Sequence, residues 1–504
     1  MNDYFIGLDI GTSSVRAVLF DSAGMQVSID NIEYCVVSPA NGHVELHPDS
    51  IFDSTIKVIK ACSRKSEAVH VAGIGISCQM HSLMGVDRHG NPITELITWG
   101  DTRAKKESEF IKSNYDVGSL YHKTGCRVQH PMYPLSKILW LKSNAVATFN
   151  SIYKFITIKE YIIYKLFNEF VVDYTLAASQ GYFNIHKQDW DEDITGGILG
   201  INRNNLSEIV ECGQILKGMR LEYANAMGID RNIPVVIGSG DGIMANLGCG
   251  ICDDTAFSST IGTSGAIRTA VGSPLLDPYQ QTWCYSFTKD MWVAGGAINN
   301  GGLALQWLRD EFKEQFEYDA SLSGEGIYTL FDRLASEIKP GSDGLVFLPC
   351  LTGERSPDWN ADARGLMFGL GLSHGRKHII RAAMEGILYR MYSIYEAMVR
   401  LRDNARQITA NGGYTKSNTW LQMQADIFNK EIQVSATAEA SALGAAFLCM
   451  VSLGAASGIR DALPGMKPDR IIYPIKENHE VYKEMYRLSK QVYNSIYNKP
   501  VKGE

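Results

Sequence analysis

The chain has 504 residues, 45% of them hydrophobic and only 15 of them proline, a composition that sets disorder aside and predicts roughly two to four domains. A net charge of −7 and the lack of any run of five or more basic residues exclude a nucleic-acid footprint, so an anionic ligand must meet locally placed donors. The sequence enters a β-like run almost at once, with no basic and apolar leader, which predicts a cytoplasmic protein.

In chain order, Tyr4 to Ile10 and Val15 to Phe20 read as strands joined by the turn Gly11-Thr12-Ser13. Asp49 to Arg64 has a helical pattern, Val69 to Ser77 a strand pattern, and Leu96-Ile97-Thr98 a β-like run that delivers Trp99. Ile233 to Ile237 is a strand followed by the tight turn Gly238-Ser239-Gly240-Asp241-Gly242 and a helix start at Ile243. Then the beginning repeats: Ala256 to Ile261, Gly262-Thr263-Ser264, and Ala266 to Val271 reproduce strand, turn and strand around a second Ile-Gly-Thr-Ser. The strand Trp292-Val293-Ala294, helical stretches Leu303 to Phe312 and Lys377 to Arg402, and Ile408-Thr409-Ala410 before Asn411-Gly412-Gly413 complete a second cycle. The alternation predicts an α/β class and two halves, 1–245 and 246–504, with no charged or proline-rich linker between them.

Two further stretches need weighing. The uncharged run Ala440 to Ile459 has about the length of a membrane span, yet Gly444, Gly454 and its serines suit a helix packed closely inside a protein, so no membrane partner is expected. Cys249-Gly250-Ile251-Cys252 has CxxC spacing but no second ligand pair, which argues against zinc.

The paired turns carry the chemistry. Glycine lets backbone N–H groups close around an anion and the hydroxyls add donors, so two such hairpins facing each other form a polyphosphate clamp. No GxxxxGK[ST] sequence exists, and Gly238-x-Gly240 is followed by Ile243 where a dinucleotide fingerprint needs its third glycine. Asp241 stands at a helix start, where the dipole favours the ionised carboxylate. It is either a base for an attacking hydroxyl or a simple helix cap. Asp9, at a strand end beside the first turn, is either a Mg²⁺ carboxylate or a turn-forming aspartate.

Taken together, these segments resemble the FGGY carbohydrate kinase family of the actin-like ATPase superfamily. Gly7 to Ser14 is similar to its first phosphate loop, Met132 to Trp140 (MYPLSKILW) to its N-terminal signature, and Gly365 to Glu385 to its C-terminal signature. Ser143 departs from the signature, where the family usually has a larger polar or charged residue. The resemblance implies two ribonuclease-H-like domains flanking a cleft, the N-terminal one binding sugar and the C-terminal one binding ATP. It implies that Asp241 is the catalytic base and that Asp9 lies near Mg²⁺. Gly11, Thr12, Ser13, Gly262 and Thr263 would form the phosphate hairpins, and Gly302, Gln306, Gly412, Gly413 and Ser417 would contact the nucleotide. Substrate contacts are expected from Met80, His81, Trp99, Asp101, His130 and Met132.

Within the family, Gln79-Met80-His81-Ser82, Thr124-Gly125-Cys126 and His130 to Leu135 are most like members that phosphorylate gluconate. Xylulose is the alternative, and glycerol is disfavoured because Met80-His81 replaces an Arg-Glu pair. Arg103 and His130 are the sequence candidates for meeting a substrate carboxylate, with an Arg103–Asp101 ion pair as the competing role for Arg103. A non-catalytic actin-like binding protein is the remaining class, and intact Asp9 and Asp241 count against it. A homodimer is left open.

Overall fold

A computed structural model describes residues 3–64, 70–459 and 468–497. Two mixed sheets dominate it. In the first, the order is Ile215–Leu216, Val235–Gly240, His70–Cys78, Asp3–Ile10, Ser14–Asp21 and Gln26–Glu33. Asp3–Ile10 runs antiparallel to Ser14–Asp21 and parallel to His70–Cys78, which is in turn parallel to Val235–Gly240. Of the expected strand Val69 to Ser77, Val69 lies outside the described residues.

The second sheet repeats this plan. Its order is Trp283–Thr288, Met291–Ile298, Gly265–Val271, Ala256–Ile261, Gln407–Asn411, Ile432–Val434 and Ile471–Ile472. Again a central strand, Ala256–Ile261, is antiparallel to its hairpin partner and parallel to the strand on its other side. The duplication read from two tetrapeptides is thus a duplication of topology, two α/β domains of the same design. Each sheet has its own core, the first built on residues such as Phe5, Leu8, Ile74 and Ile76, the second on Phe257, Ile267, Ile387 and Ile408.

The halves are not separate along the chain. A cut at 245/246 falls inside the helix Asp241–Gly248, and the helix Ala440–Ser452 packs into the first domain's core, with Ala442 to Met450 among its buried residues. Small residues make this approach feasible. A Cβ on Gly7 or Gly75 would lie 2.0 Å from the carbonyl oxygens of Ala442 and Ala445, and one on Gly444 would lie 1.9 Å from that of Met244. The uncharged run is therefore helical over Ala440–Ser452, where its backbone rests directly on strand and helix backbone, and ends in turns from Leu453 on. Among the described residues no helix is long and apolar enough to cross a membrane.

Between His70–Cys78 and Val235–Gly240 the first domain carries the long insertion 79–234, which holds His81, Trp99 and His130. The edge strand Trp283–Thr288 of the second domain closes on it: Thr175 donates to the Ser286 carbonyl at 2.8 Å, and the Gly125 carbonyl accepts from Cys284 at 3.0 Å.

Candidate active site

Register fixes where the chemistry lies. Ile10 and Gly240 both pair with Cys78, so three parallel strands end together and deliver Asp9, the segment Gln79–Ser82 and Asp241 to one place. Ligands collect at such carboxyl ends of parallel strands. Asp9 accepts from the Ser77 hydroxyl at 2.8 Å; burial and the charge of Asp241 push its carboxyl up to about 6. Asp241 is the first residue of its helix, with Gly240 as the cap, and its Oδ1 accepts from the Gly242 N–H at 2.6 Å. Burial raises its pKa, opposed by the positive charges of Arg268 and Arg355. Its carboxylate is thus held in place without being the helix cap, and two half-buried carboxylates at one set of strand ends call for a cation.

On the insertion side, one lysine positions two loops. Lys137, fully buried, donates to the carbonyls of His81 at 2.8 Å and Thr98 at 2.7 Å, and so ties the segments that present His81 and Trp99. This gives the lysine of the Lys137-x-x-Trp140 signature a physical role, and desolvation lowers its pKa to about 7. His81, at a positive φ of 62°, meets the Tyr285 hydroxyl at 2.9 Å through Nε2; burial holds its pKa well below the usual value, so the ring is neutral. Trp99 Nε1 donates to Thr12 Oγ1 at 3.1 Å, and Thr12 donates to Gln79 Oε1. Met80 packs on Gly240, where a Cβ would come within 2.7 Å of its Cγ. Met132 and His130 are buried beside them, His130 edge-on to Trp359.

Asp101 is placed differently from the expectation of a substrate contact. Its carboxylate accepts from the Val44 N–H at 2.7 Å and from the backbone and guanidinium of Arg103, and its side chain is wholly buried. Arg103 also pairs with Glu45 and lies over the Trp140 ring, so its Nε and Nη2 donors are committed. The competing ion-pair role is the one observed. The cluster holds the Trp99 loop, and breaking such a buried pair costs about 3–5 kcal/mol.

The second domain's strand ends form a cavity of about 450 Å³ lined by Gly262, Thr263, Gly302, Gln306, Gly413 and Ser417 together with Tyr328, Met384 and Trp420. Gly412 borders it at φ 98°, where a Cβ would lie 2.7 Å from the Ile261 carbonyl oxygen. Six residues expected on the nucleotide from separated segments thus share one lining. Ser417 faces it, but its hydroxyl caps the helix Asn418–Phe428 through the Trp420 N–H at 2.9 Å and donates to Asp332. Gly11, Thr12 and Ser13 sit in the opposite hairpin, outside this lining.

Sequence reasoning passed over Arg268, Tyr285 and Arg355. All three come from the second domain and approach the insertion side: Arg268 beside Asp241, Tyr285 on His81, and Arg355 over the Trp99 ring at 4.8 Å. Only the turn signals of Gly353-Glu354-Arg355-Ser356-Pro357 mark that last segment, and they say nothing of what it faces.

A duplicated α/β fold with a carboxylate pair at one set of strand ends and a glycine-lined cavity at the other is the architecture of a phosphoryl-transfer enzyme. Residues 4–248 match the N-terminal domain, and residues 258–453 the C-terminal domain, of the FGGY family of carbohydrate kinases. The chain belongs to that family and is a carbohydrate kinase. It is 40% identical over 455 residues to a gluconokinase of Bacillus subtilis (strain 168), covering 90% of this chain and 88% of that one. Its fold is similar to crystal structures of a gluconate kinase and a xylulose kinase from Lactobacillus acidophilus. Each has a TM-score of 0.92 and 32% identity, with 98% of both chains covered for the first and 99% for the second.

Proposed function

We propose that the protein transfers the γ-phosphoryl group of ATP to the terminal hydroxyl of D-gluconate, giving 6-phosphogluconate and ADP. The carrying observation is the 40% identity to a gluconokinase over nine-tenths of the chain, joined to a site that holds both carboxylates and buried N–H donors without partners among the described residues. In this reading Asp241, held by the Gly242 N–H, takes the proton of the attacking hydroxyl, while His81, Trp99 and Met80 shape the wall against which the substrate lies. The glycine-lined cavity receives the nucleotide, with Gly262 and Thr263 at its phosphate end. Thr12 acts through Trp99 and Gln79 on the sugar side.

Asp9, with Asp241 beside it, suits Mg²⁺. Among the described residues there is no cluster of three or more side chains able to cage a metal, which fits an ion held by one or two carboxylates and the nucleotide's own oxygens. Bound there, Mg²⁺ would neutralise charge on the transferred group. ATP use and a soluble anionic sugar substrate suit a cytoplasmic enzyme.

Xylulose is the second reading, favoured by the equal structural likeness to a xylulose kinase. Steady-state ATP consumption with each sugar decides: kcat/KM for gluconate should exceed that for xylulose. Faster turnover of xylulose overturns the gluconate assignment.

A further inference from the structure

We propose that Arg355, reaching in from the ATP-side domain, is the residue that binds the carboxylate of the substrate, with His130 as the second donor. The proposal rests on the gluconate reading and adds the group that makes the enzyme select an acid.

Among the described residues, Arg355 is a buried cation without a paired anion. It is only 8% exposed, its guanidinium lies 4.8 Å over the Trp99 ring, and its Nη atoms reach the Ile298 carbonyl at 3.0 Å and the Met132 sulfur at 3.8 Å. Its Nε–H is buried and has no hydrogen-bond partner among the described residues. The neighbouring carboxylate of Glu354 turns away to Arg390, at 3.1 Å from Nε. Charges of this kind are almost always paired, and leaving one alone is costly. Desolvation brings the Arg355 pKa down to about 10, still far enough up to keep it charged at neutral pH.

His130 is the neighbouring donor, tied to Arg355 through Met132, whose N–H it accepts and whose sulfur Arg355 meets. It is 8% exposed, and its Nδ1 accepts from the Met132 N–H at 3.2 Å. Burial and the nearby positive charge of Arg355 push its pKa down to about 3, so the ring is neutral, and with Nδ1 accepting, its proton must sit on Nε2. That Nε2 is likewise buried and without a partner among the described residues.

Two unsatisfied N–H donors, one of them charged, thus border Met132 and Trp99, while Asp9 and Asp241 occupy the strand ends. The site offers both kinds of group, N–H donors on Arg355 and His130 and carboxylates on Asp9 and Asp241, with the charge of Arg355 felt by Asp241. Gluconate has the matching groups: a carboxylate that accepts hydrogen bonds and, at the opposite end of its carbon chain, a hydroxyl that must lose a proton. Because Arg355 belongs to the second domain and Trp99, Met132 and His130 to the insertion of the first, an acid held between them would also bridge the two domains.

The test compares D-gluconate with D-gluconamide, in which the charge is replaced by a neutral amide of nearly the same shape, at saturating ATP. The wild type should favour the acid by about 10- to 100-fold in KM, the range of a hydrogen bond to a charged group. Arg355→Gln should erase that preference by raising KM for gluconate and not for the amide, any change in kcat through Asp241 being the same for both ligands, and Arg355→Lys should restore part of it. Thermal denaturation checks that each variant is folded. The wild-type comparison stands even if Arg355→Gln does not fold: a wild type that uses both ligands equally overturns the proposal. Equal losses for acid and amide in a folded variant overturn it too, as does a fall in kcat at constant KM, which would move Arg355 to the transferred phosphoryl group. A wild type that turns over xylulose but neither gluconate nor its amide defeats the substrate reading itself.

Discussion

The two Ile-Gly-Thr-Ser turns are identical in sequence and close equivalent strand pairs in the two sheets, yet they are wired to different neighbours. At the first, the Thr12 hydroxyl is held between Gln79 and Trp99 of the insertion, while the Tyr34 hydroxyl, from the first sheet's own edge, donates to the Gly11 and Ser14 carbonyls. At the second, the Gly262 carbonyl accepts from the Gly302 N–H at 2.7 Å and the Thr263 carbonyl from Leu303 at 3.1 Å. There the turn is stitched to the start of the helix Gly302–Glu311 and faces the glycine-lined cavity. A duplicated motif fixes backbone shape. What it binds is decided by the elements each copy meets.

The largest effect should come where the first copy meets the chemistry. Asp241→Asn keeps an oxygen for the Gly242 N–H, and so the local fold, but cannot take a proton. It should lower kcat about 10²- to 10⁴-fold while leaving ATP affinity within a few-fold, because the nucleotide cavity lies with the second copy. Stopped-flow nucleotide binding alongside steady-state rates separates the two. A variant keeping more than about a tenth of wild-type kcat would remove Asp241 from the role of base.

Local chemistry explains what the sequence showed. Both Ile-Gly-Thr-Ser turns and the strands that flank them are decided within a few residues by glycine, hydroxyl and apolar pattern and lie where those patterns put them. The turn expected at Gly238 to Gly242 is instead a strand irregularity at Gly238, with the strand running to Gly240 and the helix beginning at Asp241 rather than Ile243. The small-residue run from Ala440 was legible as a closely packed helix, but its partner was not, since nothing in the run names the glycines at 7 and 75. The same holds for the two arginines. Arg103 sits two residues from Asp101, so an ion pair was a readable option. Arg355 approaches Trp99 and Met132 only through the meeting of two domains, and no spacing rule reports that. Side chains that close a site from the far domain are the ones sequence patterns miss.

A paired substitution tests the wiring of the turns directly. Thr12→Val removes the acceptor of the Trp99 indole N–H, and one such hydrogen bond is worth about 1 kcal/mol, so KM for the sugar should rise about five-fold with KM for ATP unchanged. Thr263→Val, on the cavity side, should raise KM for ATP by a similar factor and spare the sugar. If both variants shift the same constant, the division of labour between the turns is wrong.

The smallest effect concerns Asp9, which belongs to the first copy alone: its counterpart position before the second turn is Thr260. Its carboxyl is raised from 3.8 to about 6 by burial and by Asp241. A raised carboxylate binds its proton more tightly folded than unfolded, so its contribution to stability is complete below 3.8 and is lost as pH rises through about 6. Asn at this position has no charge to bury, so the melting temperature of Asp9→Asn relative to the wild type should climb by about one to two degrees between about pH 4 and pH 6 and level off above that without Mg²⁺. Saturating Mg²⁺ with nucleotide should cancel the climb, because a cation beside the carboxylate removes the cost of its charge and pulls its pKa down. The wild-type kcat/KM should correspondingly fall below about pH 6, as protonation of Asp9 competes with the ion. A melting difference that stays flat across this range, with and without Mg²⁺, would show that Asp9 is solvated or paired in the free enzyme and has no such linkage to the metal.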